Sequence, residues 1–481
     1  MVMDIKRPCN PLHIGIALLI PLTNCLAAAQ ELTVADYLVQ VSERNLGSKS
    51  AEAMENAASK LPSQASLLTL PRLKGEASYL NDRSPVLFPD FTGKERIGRR
   101  FQLGIDTQTD IGLNAGIFYF NDQQVALGAA LIPSNQNSLT LSGTGAELSL
   151  SLLKNSFGRD IKHQKLLIRA DAAAKGAQAR LDRQMLLIKA ERTYFAVARL
   201  EEENRMRADL VSRGISLLAW AKKRVDLRLL DPAEAAQAEA ALGQRKLELV
   251  QQQIRLSEFV AQFQALRQES SLEPIPLLSP LHQISPHLGP KDPNHIQRID
   301  SEVVARSAEA EGHELALKRE EYRPDLKIVS RYLAFNRGSQ DNDSQRCVSI
   351  DRCGQFSVAL NLSIPIAIPT SSTARLGLEQ AAEAKRLSAE QVRIESMANY
   401  HRIQGSVDLQ SRSIGLAEQV LRSQEQRLLL ERQRQKQGRA TTFDILRAEQ
   451  DHFAAKLAWL DALVLRLENS VELRLYEDVA Q

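Results

Sequence analysis

The sequence is poor in aromatic residues, which make up 5% of its 481 positions, and it contains only two Trp. A chain of this length ordinarily folds as two or three globular domains with ring-filled cores. Scarce rings, 25% charged residues and long stretches of Ala, Leu, Gln, Glu and Arg instead fit long helices packed by small side chains. The net charge is only +3, which leaves no basic footprint for nucleic acid. Beyond the first 30 residues no apolar run reaches the length of a membrane-spanning helix, so any crossing of a bilayer has to be made by a β-barrel. There is no phosphate-binding glycine loop, no zinc-ligand pair and no G-x-S-x-G elbow. An enzyme, and a cofactor, are therefore not expected. His282, His287 and His295 stand in a Pro-rich stretch without metal spacing and read as solvent-exposed.

Cysteine is also rare, and the four present divide into two groups. Cys9 and Cys25 fall in an N-terminal segment with a basic start at Lys6 and Arg7. A short apolar run over 12–22 and small residues at Ala27, Ala28 and Ala29 follow. This pattern predicts a signal peptide, 1–29, cleaved between Ala29 and Gln30. Leu22-Thr23-Asn24-Cys25 also resembles a lipoprotein box, which would make Cys25 a lipidated first residue, and both readings stay open. The remaining pair, Cys347 and Cys353, is compatible with a disulfide in an exported protein or with two free thiols.

What the sequence does contain is an internal repeat. PRLKGEASYL from Pro71 matches PDLKIVSRYL from Pro324 at an offset of 253, and AELSLSLL at 146–153 matches VALNLSIP at 358–365 at an offset of 212. Ala238-Glu239 matches Ala448-Glu449 at 210. Repetition on this scale predicts two similar structural units. They are assigned to 30–269 and 295–481, joined by a Pro-rich linker at 270–294. The first unit carries about 41 extra residues inside its strand region, within 81–142, where FQLGID, IGLNAGIFYF and VALGAALI suggest extra strands or an extended hairpin of uncertain register.

Each unit reads helix, strand, strand, very long helix, return helix. Phe356, Val358, Leu360, Leu362 and Ile364 alternate with polar or small residues, as do Leu148, Leu150 and Leu152, so each strand has one apolar face. The helices that follow, about 158–229 and 373–437, would each be roughly 100 Å long. Both turn back at short tips. Asp231 is placed to cap the next helix, with Pro232 at its first position and Glu234 as the third-position carboxylate. In the second tip Gly438 closes one helix and Thr441 caps the next, with Asp444 three residues on. Four main strands per chain cannot close a barrel, and open edges cannot sit in lipid, so the strands must pair with those of other copies.

On the stretch GRATTFDILRAEQDHFAAKLAWLDALVLRLENSVELRL, and on ALNLSIPI entering a long helix, the chain resembles the outer-membrane factor (TolC) family, the exit ducts of efflux and type I secretion systems. The resemblance implies a mostly α fold with a membrane β-barrel part, assembled as a homotrimer with twelve strands and a twelve-helix periplasmic tunnel. It implies a place in the outer membrane of a Gram-negative cell, among outer-membrane lipid. The partners it implies are a periplasmic adaptor and an inner-membrane pump, proton-driven or ABC. It puts a gate at the tips, with Asp444, Arg447 and Glu234 as candidate residues. Arg447 stands where a second acidic residue is usual, and Ala440 where a basic partner of Glu234 is usual. Adaptor docking falls on Arg228, Asp231, Pro232, Gly438 and Thr441, with Arg228 in place of a small residue. The loop holding Cys347 and Cys353 is implied to lie outside the cell. An exported coiled-coil scaffold without channel activity is the competing expectation. The cargo, whether drug, metal or polypeptide, is not specified by these residues.

Overall fold

A computed structural model of the chain describes residues 31–131, 137–270, 274–287, 298–338, 354–364, 366 and 369–476. The expected signal peptide with its Ala29–Gln30 junction, and Cys347 and Cys353, lie outside the described residues. Two helices of equal length dominate, α3 (Arg159–Asp226) and α6 (Pro369–Lys436), each of 68 residues and so about 100 Å long. Their return partners are α4 (Pro232–Arg267) and α7 (Thr442–Val471). Shorter helices complete the bundle: α1 (Val34–Arg44), α2 (Leu46–Lys60) and α5 (Ile299–Glu321). Among the described residues no helix is long and apolar enough to cross a membrane.

The segment read as one helix over 31–61 is two. Asn45 breaks it by ending α1 and capping α2: its side-chain oxygen accepts from Gly47 N at 2.8 Å while its amide donates to Leu266 O at 2.9 Å. An Asn that serves both roles competes with the helix ladder for its own backbone.

The sheet resolves the extra residues of the first unit into strands beyond the four main ones. It has six, β1 (Arg72–Asp82), β2 (Glu95–Gln108), β3 (Leu113–Leu127), β4 (Ser138–Ser151), β5 (Asp325–Gly338) and β6 (Gly354–Ser363), all antiparallel and in sequence order. The repeat explains the number. β1 matches β5 and β4 matches β6, so the extra residues of the first unit form the whole hairpin β2–β3. Adding strands in a pair preserves the up-down alternation, which a single strand would break. A twelve-strand barrel from three chains therefore does not follow from this sheet.

One register row, Leu73, Ile105, Ile117, Ala146, Tyr332 and Phe356, crosses all six strands on one face. Most of this face is exposed and apolar: Leu73 is 72% accessible and Leu360 65%. The adjacent row on the other face runs Lys74, Gly104, Phe118, Gly145, Leu333 and Gln355. There Phe118 is buried between two glycines. A Cβ on Gly145 would collide with the Phe118 ring, so the strand needs glycine at that position. The Arg331 guanidinium covers the ring at 5.0 Å from its centroid.

The core sits midway along the helices. Tyr37 of α1 stacks on Phe263 of α4, with centroids 4.3 Å apart, and packs beside Tyr194 of α3. The Tyr194 hydroxyl donates to Leu32 O at 2.6 Å and accepts from Ser279 N at 3.0 Å. The Pro-rich stretch is thus docked: Leu278 and Leu281 are buried, and Leu32 bridges Leu278 in parallel. His282 is exposed as expected and His295 lies outside the described residues, but His287 is not free. Its Nε2 lies 2.9 Å from Oε1 of the buried Glu191, whose Oε2 accepts from Arg474 Nε at 2.7 Å. A carboxylate so buried needs these partners to offset its desolvation, which is why one histidine of the stretch is drawn in.

Candidate functional site: the paired helix tips

The two hairpin tips are built alike. In the first, Arg228 N donates to Val225 O and Leu229 N to Arg224 O, both at 2.8 Å. In the second, Gly438 N donates to Gln435 O at 2.9 Å and Arg439 N to Arg434 O at 2.8 Å. This pair of bonds closes a helix through one left-handed residue, and glycine adopts that conformation without strain. Gly438 has φ 71°, whereas Arg228 holds φ 59° with a side chain attached. The first tip accordingly carries a long exposed cation where the second has none.

The return helices then start on capping side chains. Asp231 accepts from Ala233 N at 2.8 Å, with Pro232 next in the first helical turn. Thr441 and Asp444 form a reciprocal box: Thr441 Oγ1 accepts from Asp444 N at 3.2 Å, and Asp444 Oδ2 accepts from Thr441 N at 3.0 Å. The Thr441 hydroxyl and backbone hold the Asp444 carboxyl below the usual carboxylate range. By repeat position Glu234 is the counterpart of Asp444, but it does not close a box on its own helix. Its Oε2 accepts from Thr442 N of α7 at 3.0 Å, so it caps the opposite hairpin. The Arg224 guanidinium lies over the Trp220 ring, 5.1 Å from its centroid, and a Cβ added at Gly438 would come within 3.3 Å of it.

One turn further in, Glu449 forms a charged knot that sequence reasoning missed. It is almost fully buried, accepts from Arg432 Nη2 at 3.0 Å, and has Arg245 Nη2 2.8 Å from its Oε2 in a contact more Coulombic than directed. Arg245 in turn donates to Leu210 O at 3.1 Å. The knot therefore joins α3, α4, α6 and α7. A signal was present: Ile445, Ala448 and Glu449 fall on one face at helical spacing, and Ala448-Glu449 is one of the repeated pairs. Of the sequence candidates, the structure brings Glu234, Gly438, Thr441 and Asp444 together. Arg447 is exposed and makes no ion pair among the described residues.

Higher on α6, large apolar side chains face outward from the chain. Leu387 and Ile394 are seven residues apart, as are Leu409 and Leu416, with Leu430 fourteen further on, and all are more than half exposed. Seven-residue spacing makes a seam for another helix.

Residues 308–476 match the model of the outer membrane efflux protein family. No curated protein sequence matches the chain. Among solved structures, the outer membrane protein VceC from Vibrio cholerae aligns with a TM-score of 0.65 at 14% identity, covering 92% of this chain and 94% of that one. The CmeC outer membrane channel of Campylobacter jejuni aligns with a TM-score of 0.68 at 12% identity, covering 94% and 87%. The MtrE outer membrane channel of Neisseria gonorrhoeae, solved in its open state, gives 0.65 at 14% identity, covering 92% and 88%. At these identities the likeness is one of fold.

Proposed function

We propose that this chain, an outer membrane efflux protein by its residues 308–476 and a TolC-type outer-membrane factor by its fold, forms in homotrimeric copies an exit duct of the outer membrane. The observation that carries the reading is the coexistence of two unfinished surfaces. The sheet ends in open edges at β1 and β6 while displaying an apolar face. The helix α6 displays a heptad seam with no partner among the described residues of the chain. An unpaired strand edge costs several kcal/mol per polar group in lipid. Copies arranged in a ring pair β1 with β6 and cover α6 at the same time, which supports one assembly for both.

On this reading the tips form the inner end of the duct, in the periplasm. The link of Glu234 to Thr442 N holds the two hairpins of one chain together and supports a closed resting end. Asp444 and Arg447 then set its conductance, Asp444 through its hold on the α7 start and Arg447 as a free cation. The exposed tip residues Arg228, Asp231, Pro232, Gly438 and Thr441 are the docking surface for a periplasmic adaptor. An inner-membrane pump, proton-driven or ABC, supplies the energy. Sedimentation of the detergent-solubilised protein tests the assembly: three copies are expected, and a stable monomer would refute it. Conductance and ion selectivity unchanged in both Asp444→Ala and Arg447→Ala channels would remove these residues from the gate.

A further inference from the structure

The tips are far more basic than the chain that carries them. Within 220–234 and 427–447 there are ten Lys and Arg against five Asp and Glu. The tips thus hold a net charge of +5 in a chain whose total is +3, and everything else is slightly acidic.

The pairing of these groups sharpens the contrast. Four of the five carboxylates are engaged. Asp231 and Asp444 cap their own helices, Glu234 caps the opposite one, and Glu431 pairs with Arg434 at 3.0 Å. Lys222, Arg427 and Arg432 are tied to Glu239, Asp451 and Glu449, which follow these stretches in sequence. Six cations remain without a carboxylate partner among the described residues: Lys223, Arg224, Arg228, Lys436, Arg439 and Arg447. Arg224 is held on Trp220, and the other five are exposed. Helix dipoles explain why cations gather in the last turns of α3 and α6 and carboxylates in the first turns of α4 and α7. They do not explain a twofold excess, nor Arg228, Arg439 and Arg447, which lie outside those last turns.

We propose that the tips form an anion-selective mouth, so that the duct favours cargo carrying net negative charge. The inference rests on the duct reading above, since it needs the tips of several copies to surround one pore. With the partner carboxylates Glu239, Glu449 and Asp451 included, each copy keeps a net charge of +2, so three copies would bring six net positive charges, and eighteen cations without a carboxylate partner among the described residues, to a single constriction. The screening length is about 10 Å at 0.1 M salt, similar to the spacing of packed helices, so cations that do not point into the pore still act on it. Rings of Arg and Lys select anions in narrow pores because they raise the local anion concentration and repel cations. Exposed side chains on flexible stems can do this without a fixed binding geometry, which suits a passage that must release what it admits.

The test is the reversal potential of the full-length protein in a planar bilayer under a tenfold potassium chloride gradient. The wild type is expected to reverse on the chloride side of zero. A variant combining Lys223→Gln, Arg228→Gln, Arg439→Gln and Arg447→Gln should shift toward zero. The same four positions changed to Glu should pass to the potassium side. All four side chains are exposed, and heat-stable oligomers on a gel check that each variant assembles. A wild type that conducts but reverses on the potassium side overturns this proposal alone, as does a reversal potential that neither set of substitutions moves. An assembled protein that inserts and passes no current removes the duct reading together with it.

Discussion

The β2–β3 hairpin makes a prediction that separates this chain from a four-stranded one. If the hairpin is part of the wall, each chain contributes six strands. With strands about 4.8 Å apart and tilted by about 40°, one chain supplies roughly 38 Å of circumference. Three chains then close a barrel of eighteen strands with a backbone diameter of about 36 Å, against about 24 Å for twelve strands. Replacing residues 83–137 by a two-residue Asn-Gly turn joins the end of β1 to the start of β4. The connection suits an antiparallel pair, and removing two strands keeps the alternation. Electron cryomicroscopy of the purified oligomers in lipid nanodiscs should give the wider wall for the full chain and the narrower one for the variant. A full-length barrel of about 24 Å, with the hairpin projecting from its rim, would refute the reasoning.

Three further outcomes are expected. The Tyr37 hydroxyl is buried with no hydrogen-bond partner among the described residues, and burial pushes its ionisation well above the usual tyrosine range. Tyr37→Phe keeps the stack on Phe263 and removes an unsatisfied group, so thermal unfolding should be unchanged or delayed, by up to about 1 kcal/mol; a clear loss of stability would reveal a partner for the hydroxyl. Glu449→Ala leaves Arg245 buried without its counter-charge, a loss that reaches about 3–5 kcal/mol for a fully buried pair and less here because Arg432 reaches solvent. Amide exchange should accelerate at the tips and not at the Tyr37 core; uniform protection in the variant would argue against the knot. Because the Asp444 carboxyl titrates lower when folded than when unfolded, its contribution to the α7 cap is present above about pH 4 and lost as the pH falls through the depressed value. Protection at the start of α7 should therefore drop in acid, and Asp444→Asn should abolish that dependence; the same acid sensitivity in both proteins would contradict the assignment.

Much of the architecture is legible in the sequence because it depends on periodicity and punctuation. The absence of Pro between 158 and 229 allows α3, and alternation at 355–364 gives β6. Asp231-Pro232 and Gly438 with Thr441 mark the tips to within a residue or two. What escaped depends on contacts distant in sequence. Asn45 breaks a helical pattern because Leu266 O lies across the bundle to receive its amide. His287 leaves solvent because Glu191, 96 positions away, needs a partner. Glu234 has the spacing of an ordinary helix cap, yet it bonds the backbone of the other hairpin, and no local pattern distinguishes the two. The extra hairpin was visible as surplus length with broken strand signals, but its register was not, because Gly104 in β2 and Gly145 in β4 interrupt the side-chain rhythm where Phe118 of β3 lies over them. At the tips the residues were found and their partners were not.

The central claim is that copies of this chain enclose a water-filled passage ending at the paired tips. Single-channel recording of the purified oligomer in a planar bilayer tests it most directly, comparing the wild type with a protein in which Glu234→Ala cuts the tie between hairpins. The account predicts small unitary currents in the wild type and larger ones in the variant. An assembled wild type that inserts into lipid without any unitary current, together with an equally silent variant, would contradict it.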